Sequence, residues 1–284
     1  MLTVLDSINL STEYLKKKGI DSPRINAELL LAHILKCKRL QLYLSYDRPL
    51  KENEVILYRE LLKRRCNFEP LQYITGSVEF YGLEFRVTPA VLIPRPETEL
   101  LVETVINEYR EKKFLKILDI GTGSGNISVA LAKFLPEALI VAIDISEDAL
   151  LIARENAERN NAADRIQFLK HDILADMALA DNNFDVIVSN PPYVTINDYA
   201  NLDNELKNYE PKIALTDQAD GLSFYRAITS KAVNYLKNNG KLFFEIGHCH
   251  SLQVEELLSS NNFKNIRIIK DYQNIDRVMI GELL

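Results

Sequence analysis

The 284-residue sequence predicts an α/β protein: a mostly parallel seven-stranded sheet with helices on both faces, joined to a small N-terminal helical bundle by a β-hairpin linker. Three observations predict it. From residue 115 onward, short apolar runs alternate with amphipathic stretches of crossover length, which parallel neighbours require because no tight turn can connect them. Over the first 70 or so residues, apolar side chains recur at three- and four-residue spacings, the period of helices packed on one another. Between these regions, Val78-Glu79-Phe80-Tyr81 and Leu83-Glu84-Phe85-Arg86-Val87 alternate around Gly82, a hairpin signal.

Each element has a local reason. Leu2, Leu5, Ile8 and Leu10, then Ala27 to Leu35, then Val55 to Leu62, supply the apolar stripes of the bundle. Gly19 closes the first helix, and Ser22-Pro23-Arg24 starts the next with proline in its first turn. Strands are expected at Leu115 to Ile120, Leu139 to Ile143, Ile166 to Leu169, Phe184 to Ser189, Lys241 to Ile246, Phe263 to Ile269 and Arg277 to Ile280. Helices fit at Asn126 to Phe134, Glu147 to Asn160, Leu222 to Lys237 and Leu252 to Ser260. Only a short polar stretch joins the last two strands, so one of them is expected to run antiparallel. The expected division is residues 1–75 for the helical domain, 76–94 for the hairpin linker and 95–284 for the sheet domain.

Composition bounds the function. With 47% hydrophobic and 26% charged residues the chain reads as a globular, water-soluble protein. No basic and apolar leader pattern opens MLTVLDSINL, and no run approaches 18 apolar residues, so the expectation is a cytoplasmic protein without a membrane span. Cys37, Cys66 and Cys249 are odd in number and widely spaced, which fits a reducing compartment. The net charge of -6 is uneven: residues 1–76 carry 13 Lys and Arg against 9 Asp and Glu, the remainder 21 against 31. Clusters such as Lys16 to Lys18 and Lys63 to Arg65 are either solvated helix faces or contacts for an acidic partner.

Chemistry concentrates at strand ends. The first strand of the sheet domain runs into Gly121-Thr122-Gly123-Ser124-Gly125 and then a helix. Alternate glycines there either make a tight turn or let the backbone approach a nucleotide-type ligand at a helix N-terminus. Asp144, at the end of the next strand, is placed to accept both hydroxyl hydrogens of a ribose. Asp119, just before the first glycine, suits a ligand with a positively charged amino group better than a pyrophosphate. Together these favour S-adenosylmethionine. After the third strand, Asp172 is a candidate acceptor for the adenine amino group and Ile173 a candidate surface for its ring; an ordinary exposed loop is the alternative.

The fourth strand ends in Ser189-Asn190-Pro191-Pro192-Tyr193. Prolines after a strand can simply stop it pairing. They also remove two backbone donors and hold their predecessors extended, leaving the Asn190 side-chain oxygen and the carbonyls of Asn190 and Pro191 as a rigid, acceptor-rich stretch. Such a stretch suits a planar NH2 group. The nitrogen of an amide or exocyclic amine is a poor nucleophile, and two acceptors would orient it and stabilise the positive charge that develops on methyl transfer. Tyr193 could pack its face on the planar group.

GTGSG, Asp144 and the Asn190-Pro191-Pro192-Tyr193 segment resemble the class I (Rossmann-like) S-adenosylmethionine-dependent methyltransferases that act on planar NH2 nitrogens. Ile93-Pro94-Arg95-Pro96-Glu97-Thr98-Glu99, Tyr209-Glu210-Pro211, Glu245-Ile246-Gly247 and Lys270-Asp271-Tyr272 through Arg277 extend the resemblance over nearly the whole chain, to the protein-(glutamine-N5) methyltransferases known as PrmC or HemK. The resemblance implies methylation of the glutamine in the Gly-Gly-Gln motif of bacterial class-one peptide chain release factors; the mild positive charge of the helical domain gives the separate expectation that it docks the body of that partner. The resemblance also implies that Gly121, Thr122, Gly123, Ser124, Gly125, Asp144, Asp172, Ile173 and Asn190 hold S-adenosylmethionine, and that Asn190, Pro191, Pro192 and Tyr193 hold the substrate and carry catalysis. Ile173 stands where some members have an aromatic residue, so aliphatic packing replaces stacking.

Other readings share the chemistry: a glutamine of a ribosomal protein, or a base of DNA or RNA. The acidic sheet domain argues against a nucleic-acid face, and no stable nucleic-acid binding is expected. Arg95 to Glu99 starts a helix with proline and acids, and either caps it or walls the site as well. Glu245-Ile246-Gly247 reads as strand-end architecture. His248-Cys249-His250 lacks the second ligand pair that a structural zinc needs, so no metal is expected.

Overall fold

Thr3 starts the first helix in a computed structural model that describes residues 2–175, 179, 182–248 and 250–284. Its hydroxyl accepts the Asp6 N–H at 3.1 Å, and the Asp6 carboxylate accepts the Thr3 N–H at 3.1 Å, a reciprocal cap for α1 (Val4–Lys17). The chain falls into two compact units: Met1–Ser77 with Asp203–Tyr209, and Val78–Leu202 with Glu210–Leu284.

In the first unit α1 is followed by α2 (Pro23–Leu35), α3 (Arg39–Tyr43), α4 (Glu52–Cys66) and α5 (Leu71–Thr75). Val4, Ile8, Leu30, Leu31, Leu42 and Leu62 form its core. α2 begins with Pro23 at its first position, as the sequence predicts. The short helix Asn204–Tyr209 belongs to this unit although it lies far along the chain. Arg65 is its anchor, buried and donating to the Asn26 side chain at 2.7 Å, the Glu69 carbonyl at 2.9 Å and Glu205 at 2.8 Å. Tyr209 adds a hydrogen bond to the Asn67 carbonyl at 2.8 Å.

The second unit opens with the hairpin β1 (Ser77–Phe80) and β2 (Leu83–Arg86). From Val78 onward the hairpin belongs to this unit. Phe80 and Phe85 are buried edge-to-face, ring centroids 5.9 Å apart, in the same core as Leu101, Ile127 and Val129. Asn156 holds it from behind, accepting the Arg86 N–H at 2.7 Å and donating to the Arg86 carbonyl at 3.0 Å. The expected linker is therefore part of the sheet layer's cover, because two buried phenylalanines commit it there.

The sheet follows from β3 (Lys116–Ile120), β4 (Leu139–Asp144), β5 (Ile166–Lys170), β6 (Phe184–Ser189), β7 (Leu236–Glu245), β8 (Phe263–Lys270) and β9 (Asp276–Leu283), in the spatial order β5-β4-β3-β6-β7-β9-β8. The first five pair parallel, and β9 runs antiparallel to both β7 and β8. This is the expected mostly parallel seven-stranded sheet. One face packs on α6 (Pro96–Tyr109), α7 (Asn126–Phe134) and α8 (Glu147–Arg159), the other on α9 (Ser223–Tyr235) and α10 (Ser251–Ser260). Alternate residues of β3 divide accordingly, Ile117 to the first core, Leu118 and Ile120 to the second.

α9 stops at Tyr235 and β7 starts at Leu236, five residues earlier than its apolar run suggests, because Leu236 pairs with Phe184 across an irregular register. Two further short helices, Ile196–Asn201 and Lys212–Leu215, follow β6 in this unit. Strand order reverses between β3 and β6, so the connections that leave their carboxyl ends go to opposite sides and the switch point is where open α/β sheets bind ligands. Among the described residues no helix is long and apolar enough to cross a membrane.

Candidate active site

The glycine loop leaves β3 at this crevice. Gly121, Gly123 and Gly125 all take positive φ, a conformation that costs other residues strain. Gly125 has a second constraint: a Cβ there would lie 3.1 Å from the Ala153 Cβ, so glycine lets the start of α7 meet α8. Asn156, buried on α8, donates to the Ser124 carbonyl at 2.9 Å and so links the loop to the hairpin. No sequence pattern marks Asn156, since an asparagine inside a helix is ordinarily a surface residue.

Two carboxylates meet the loop. Asp119 is fully buried, its Oδ2 accepting Thr122 Oγ1–H at 2.7 Å and Ser128 Oγ–H at 2.5 Å, while Oδ1 has no partner among the described residues. Burial pushes the Asp119 carboxyl up to about 6, with the Ser128 and Thr122 hydrogen bonds pulling the other way. Asp144 accepts the Gly123 N–H and the Ser146 N–H, one on each oxygen at 2.9 Å. Burial raises it too, against those bonds. A buried carboxylate oxygen without a donor is costly unless a ligand supplies one. An acceptor without a donor at Asp119 and spare lone pairs at Asp144 are what a ligand with an ammonium group and ribose hydroxyls would use, so these residues fit S-adenosylmethionine.

The structure sets Asn190 beside this loop. Ser189 pairs with Ile120 across β3 and β6, and its hydroxyl donates to the Ile120 carbonyl at 2.7 Å, fixing the start of the Asn190-Pro191-Pro192-Tyr193 segment against the start of the glycine loop. Pro191 is buried, and Asn190, Pro192 and Tyr193 are half-buried. Val194 then donates to the Leu215 carbonyl at 3.0 Å, which ties down the far end. The Tyr193 ring packs on the second core, and burial drives its phenol far above the ordinary value, so it stays neutral. Gly247 makes room for it: a Cβ at 247 would lie 2.9 Å from Tyr193 Cδ2 and 2.7 Å from His250 Nδ1.

Behind Asn190 stands a wall that the sequence reading left between capping and function. Pro96 opens α6 and Arg95, just before it, pairs with the buried Glu210 at 2.5 Å. Thr98, 2% exposed, accepts the Asn190 Nδ2–H at 3.2 Å. Glu245, at the end of β7 and also 2% exposed, keeps one oxygen without a partner among the described residues. Burial pushes it up to about 7, with Thr98, Arg277 and Asn190 pulling it back and Glu97 adding to the rise. Thr98 and Glu245 lie in quoted motifs but carry no signal of their own, since a threonine in a first turn and a strand-end glutamate usually face solvent.

The structure places the remaining candidates less centrally. Asp172 is half-buried after β5, and its Oδ1 accepts the Leu174 N–H at 2.9 Å. Ile173 is 6% exposed and packs in the core with Leu118, Ile120 and Ile143, so little of it is left to cover a ring. His248 and His250 flank Cys249, which lies outside the described residues. Among the described residues no cluster of three or more metal-ligating side chains forms.

Comparisons with known proteins bear on the family and the fold. Residues 6–76 match the model of the PrmC N-terminal domain, and residues 111–278 that of a methyltransferase domain. A release factor glutamine methyltransferase from Fusobacterium nucleatum subsp. nucleatum is 43% identical over 98% of this chain and 78% of its own length. Another from Geobacter sulfurreducens is 41% identical over 99% of this chain and 97% of its own. A crystal structure of a methyltransferase from Pyrococcus furiosus shares the fold at a TM-score of 0.52, with 20% identity over 72% of this chain and 90% of that one. With that identity sustained across both units, the chain belongs to the release factor glutamine methyltransferase family.

Proposed function

We propose that this protein transfers a methyl group from S-adenosylmethionine to the side-chain amide nitrogen, N5, of the glutamine in the Gly-Gly-Gln motif of class-one peptide chain release factors. The observation that carries the reading is the seating of Asn190-Pro191-Pro192-Tyr193 against the glycine loop, through Ser189 Oγ and the Ile120 carbonyl at 2.7 Å. The cofactor supplies an electrophilic methyl on a sulfonium. Everything else is positioning by this chain.

The glycine loop offers backbone amides, Asp119 Oδ1 takes an ammonium hydrogen, and Asp144 accepts ribose hydroxyls with its remaining lone pairs. Asn190 Oδ1 and the Pro191 carbonyl each take one hydrogen of the substrate NH2, which aims the nitrogen and stabilises its developing charge. Tyr193, neutral and braced by Gly247, covers the planar amide. No strong base is required, because an N-methylated, positively charged amide readily loses its proton to water. Asp172 and Ile173 border the adenine end, Ile173 chiefly from within the core. The helical domain, with its mild excess of positive charge, docks the release factor body.

Incubation with labelled cofactor and a release factor tests the reading, followed by mass spectrometry of the factor. A single methyl on the Gly-Gly-Gln glutamine is the expected result. Equal labelling of a factor carrying alanine in place of that glutamine overturns it.

A further inference from the structure

We propose that Glu245 and Thr98 are positioning residues that decide which end of the Asn190 side chain faces the substrate. The inference rests on the glutamine reading and asks what makes its first step reliable. An asparagine amide has an oxygen at one end and an NH2 at the other, nearly identical in shape, and only the oxygen can accept a substrate hydrogen. If the amide turned over, Asn190 would offer a donor to a group that is itself a donor.

The fold supplies the answer from two distant pieces of chain. Ser189 lies opposite Phe244 in the parallel β6–β7 pairing, so Asn190 and Glu245, the next residue on each strand, are neighbours at the sheet edge. α6 lays Thr98, in its first turn, over the same place. Asn190 Nδ2–H donates to Thr98 Oγ1 at 3.2 Å, and the Glu245 carboxyl is the acceptor on which both side chains, Thr98 and Asn190, act. A hydroxyl has one hydrogen. Once it is committed to Glu245, Thr98 can only accept from Asn190, so the NH2 stays turned toward Thr98 and Oδ1 is left at the other end of the amide.

Nothing in β7 as a strand calls for a carboxyl group at a position 2% exposed. Burying one is unfavourable unless it is paired, and Glu245 has one oxygen without a partner among the described residues. Arg277 is the cation that faces it, yet Arg277 is already bonded to Asp271 at 2.9 Å. Among the described residues, the other titratable groups coupled to it are Glu97 on α6, Tyr193 after β6 and Tyr225 on α9, none of which is a cation. A glutamate kept at such a place fits the task of holding one hydroxyl hydrogen.

Paired substitutions in the full-length chain test this, with the wild type and its Gln-to-Ala substrate control assayed alongside. Thr98→Val keeps the shape and removes the hydroxyl; Thr98→Ser keeps the hydroxyl and removes a methyl. The expected result is that kcat of Thr98→Val falls on the order of tenfold to a hundredfold, with cofactor affinity and KM for the release factor within about twofold. Thr98→Ser should stay within about threefold of wild type. A packing role predicts the reverse, with Val active and Ser impaired, and that outcome overturns the proposal. Should Thr98→Val fail to fold, Glu245→Gln and Glu245→Leu make the same contrast: Gln keeps an acceptor and Leu does not, so equal kcat in those two also overturns it. A wild type that labels the Gln-to-Ala factor equally would instead remove the glutamine reading, while the Val-to-Ser ratio on whatever NH2 substrate is labelled still decides the positioning role.

Discussion

Two buried carboxylates, one in each unit, show opposite uses of the same group. Glu28, in the helical unit, has every oxygen engaged: Oε1 with Arg24 at 2.9 Å and Tyr43 at 3.0 Å, Oε2 with Arg39 at 2.6 Å. Burial raises it, but those three partners together outweigh burial and hold its carboxyl below the ordinary value. Asp119, in the sheet unit, is also closed off from solvent but lies deeper, receives the hydroxyls of Thr122 and Ser128 on one oxygen and has no partner on the other among the described residues, and burial pushes it up to about 6. The first group has a partner on each oxygen; the second keeps Oδ1 without one among the described residues, the place that the proposed function gives to a ligand's ammonium group.

The comparison can be broken at several points. The largest expected effect is on chemistry: Asn190→Ala should lower kcat on the order of 10²- to 10³-fold with little change in melting temperature, and near-normal turnover would discard the acceptor role. Next, Glu28→Ala should cost roughly 2 kcal/mol of stability, because it strips two arginines of their partner, though both are exposed enough to be hydrated in part. Turnover on a short Gly-Gly-Gln peptide should be unaffected below the melting range. Urea unfolding and a peptide assay check the two halves of that statement.

Asp119→Asn should behave in the opposite sense, more stable and less able. The folded pKa of Asp119 lies above its unfolded value of 3.8, so its ionisation opposes folding. Any stability linked to it is fully present below about 3.8 and is lost as pH rises through about 6. Without cofactor, Asp119→Asn should therefore gain on wild type across that window, by at most about 3 kcal/mol, and the gain should be constant above it. Cofactor affinity should fall about tenfold, as expected for a lost charge-assisted hydrogen bond. Melting curves from pH 4 to 8 and calorimetry would settle it; a variant that bound cofactor normally would dissolve the contrast with Glu28. Glu28 has the reverse linkage, its folded pKa being lowered, so its contribution is present above about 4.5 and lost as pH falls below it. The smallest effect expected is at Gly247, where alanine should shift the Tyr193 ring and lower kcat by about threefold to tenfold, leaving cofactor binding intact.

Much of this arrangement could be read from the chain alone. The apolar runs at β3, β4, β5 and β6 are short, continuous and bounded by turn residues, and they lie within one residue of where the pattern puts them. The glycine loop, Asp144 and the Asn190 segment were legible because each is a local device: a backbone that needs glycine, an acid at a strand end, two prolines that remove donors. The short helices between residues 196 and 215 were not, since helices of four to six residues show too little period to register. The early start of β7 was hidden because it depends on Phe184, 52 residues away, finding Leu236.

The sequence by itself determined which residues can do chemistry and at which strand ends they stand, because strand period, turn geometry and the acceptor character of Asn-Pro-Pro are properties of neighbouring residues. Only the tertiary structure decided which of them act together. Thr98, Asn190 and Glu245 are scattered over three elements, and a β6–β7 register shifted by one residue would turn Glu245 to the other face of the sheet. Asp119 likewise looks the same in sequence whether it is paired or orphaned. Its unpartnered oxygen comes from the burial and the short supply of donors around it, and those exist only once α7 has closed over β3.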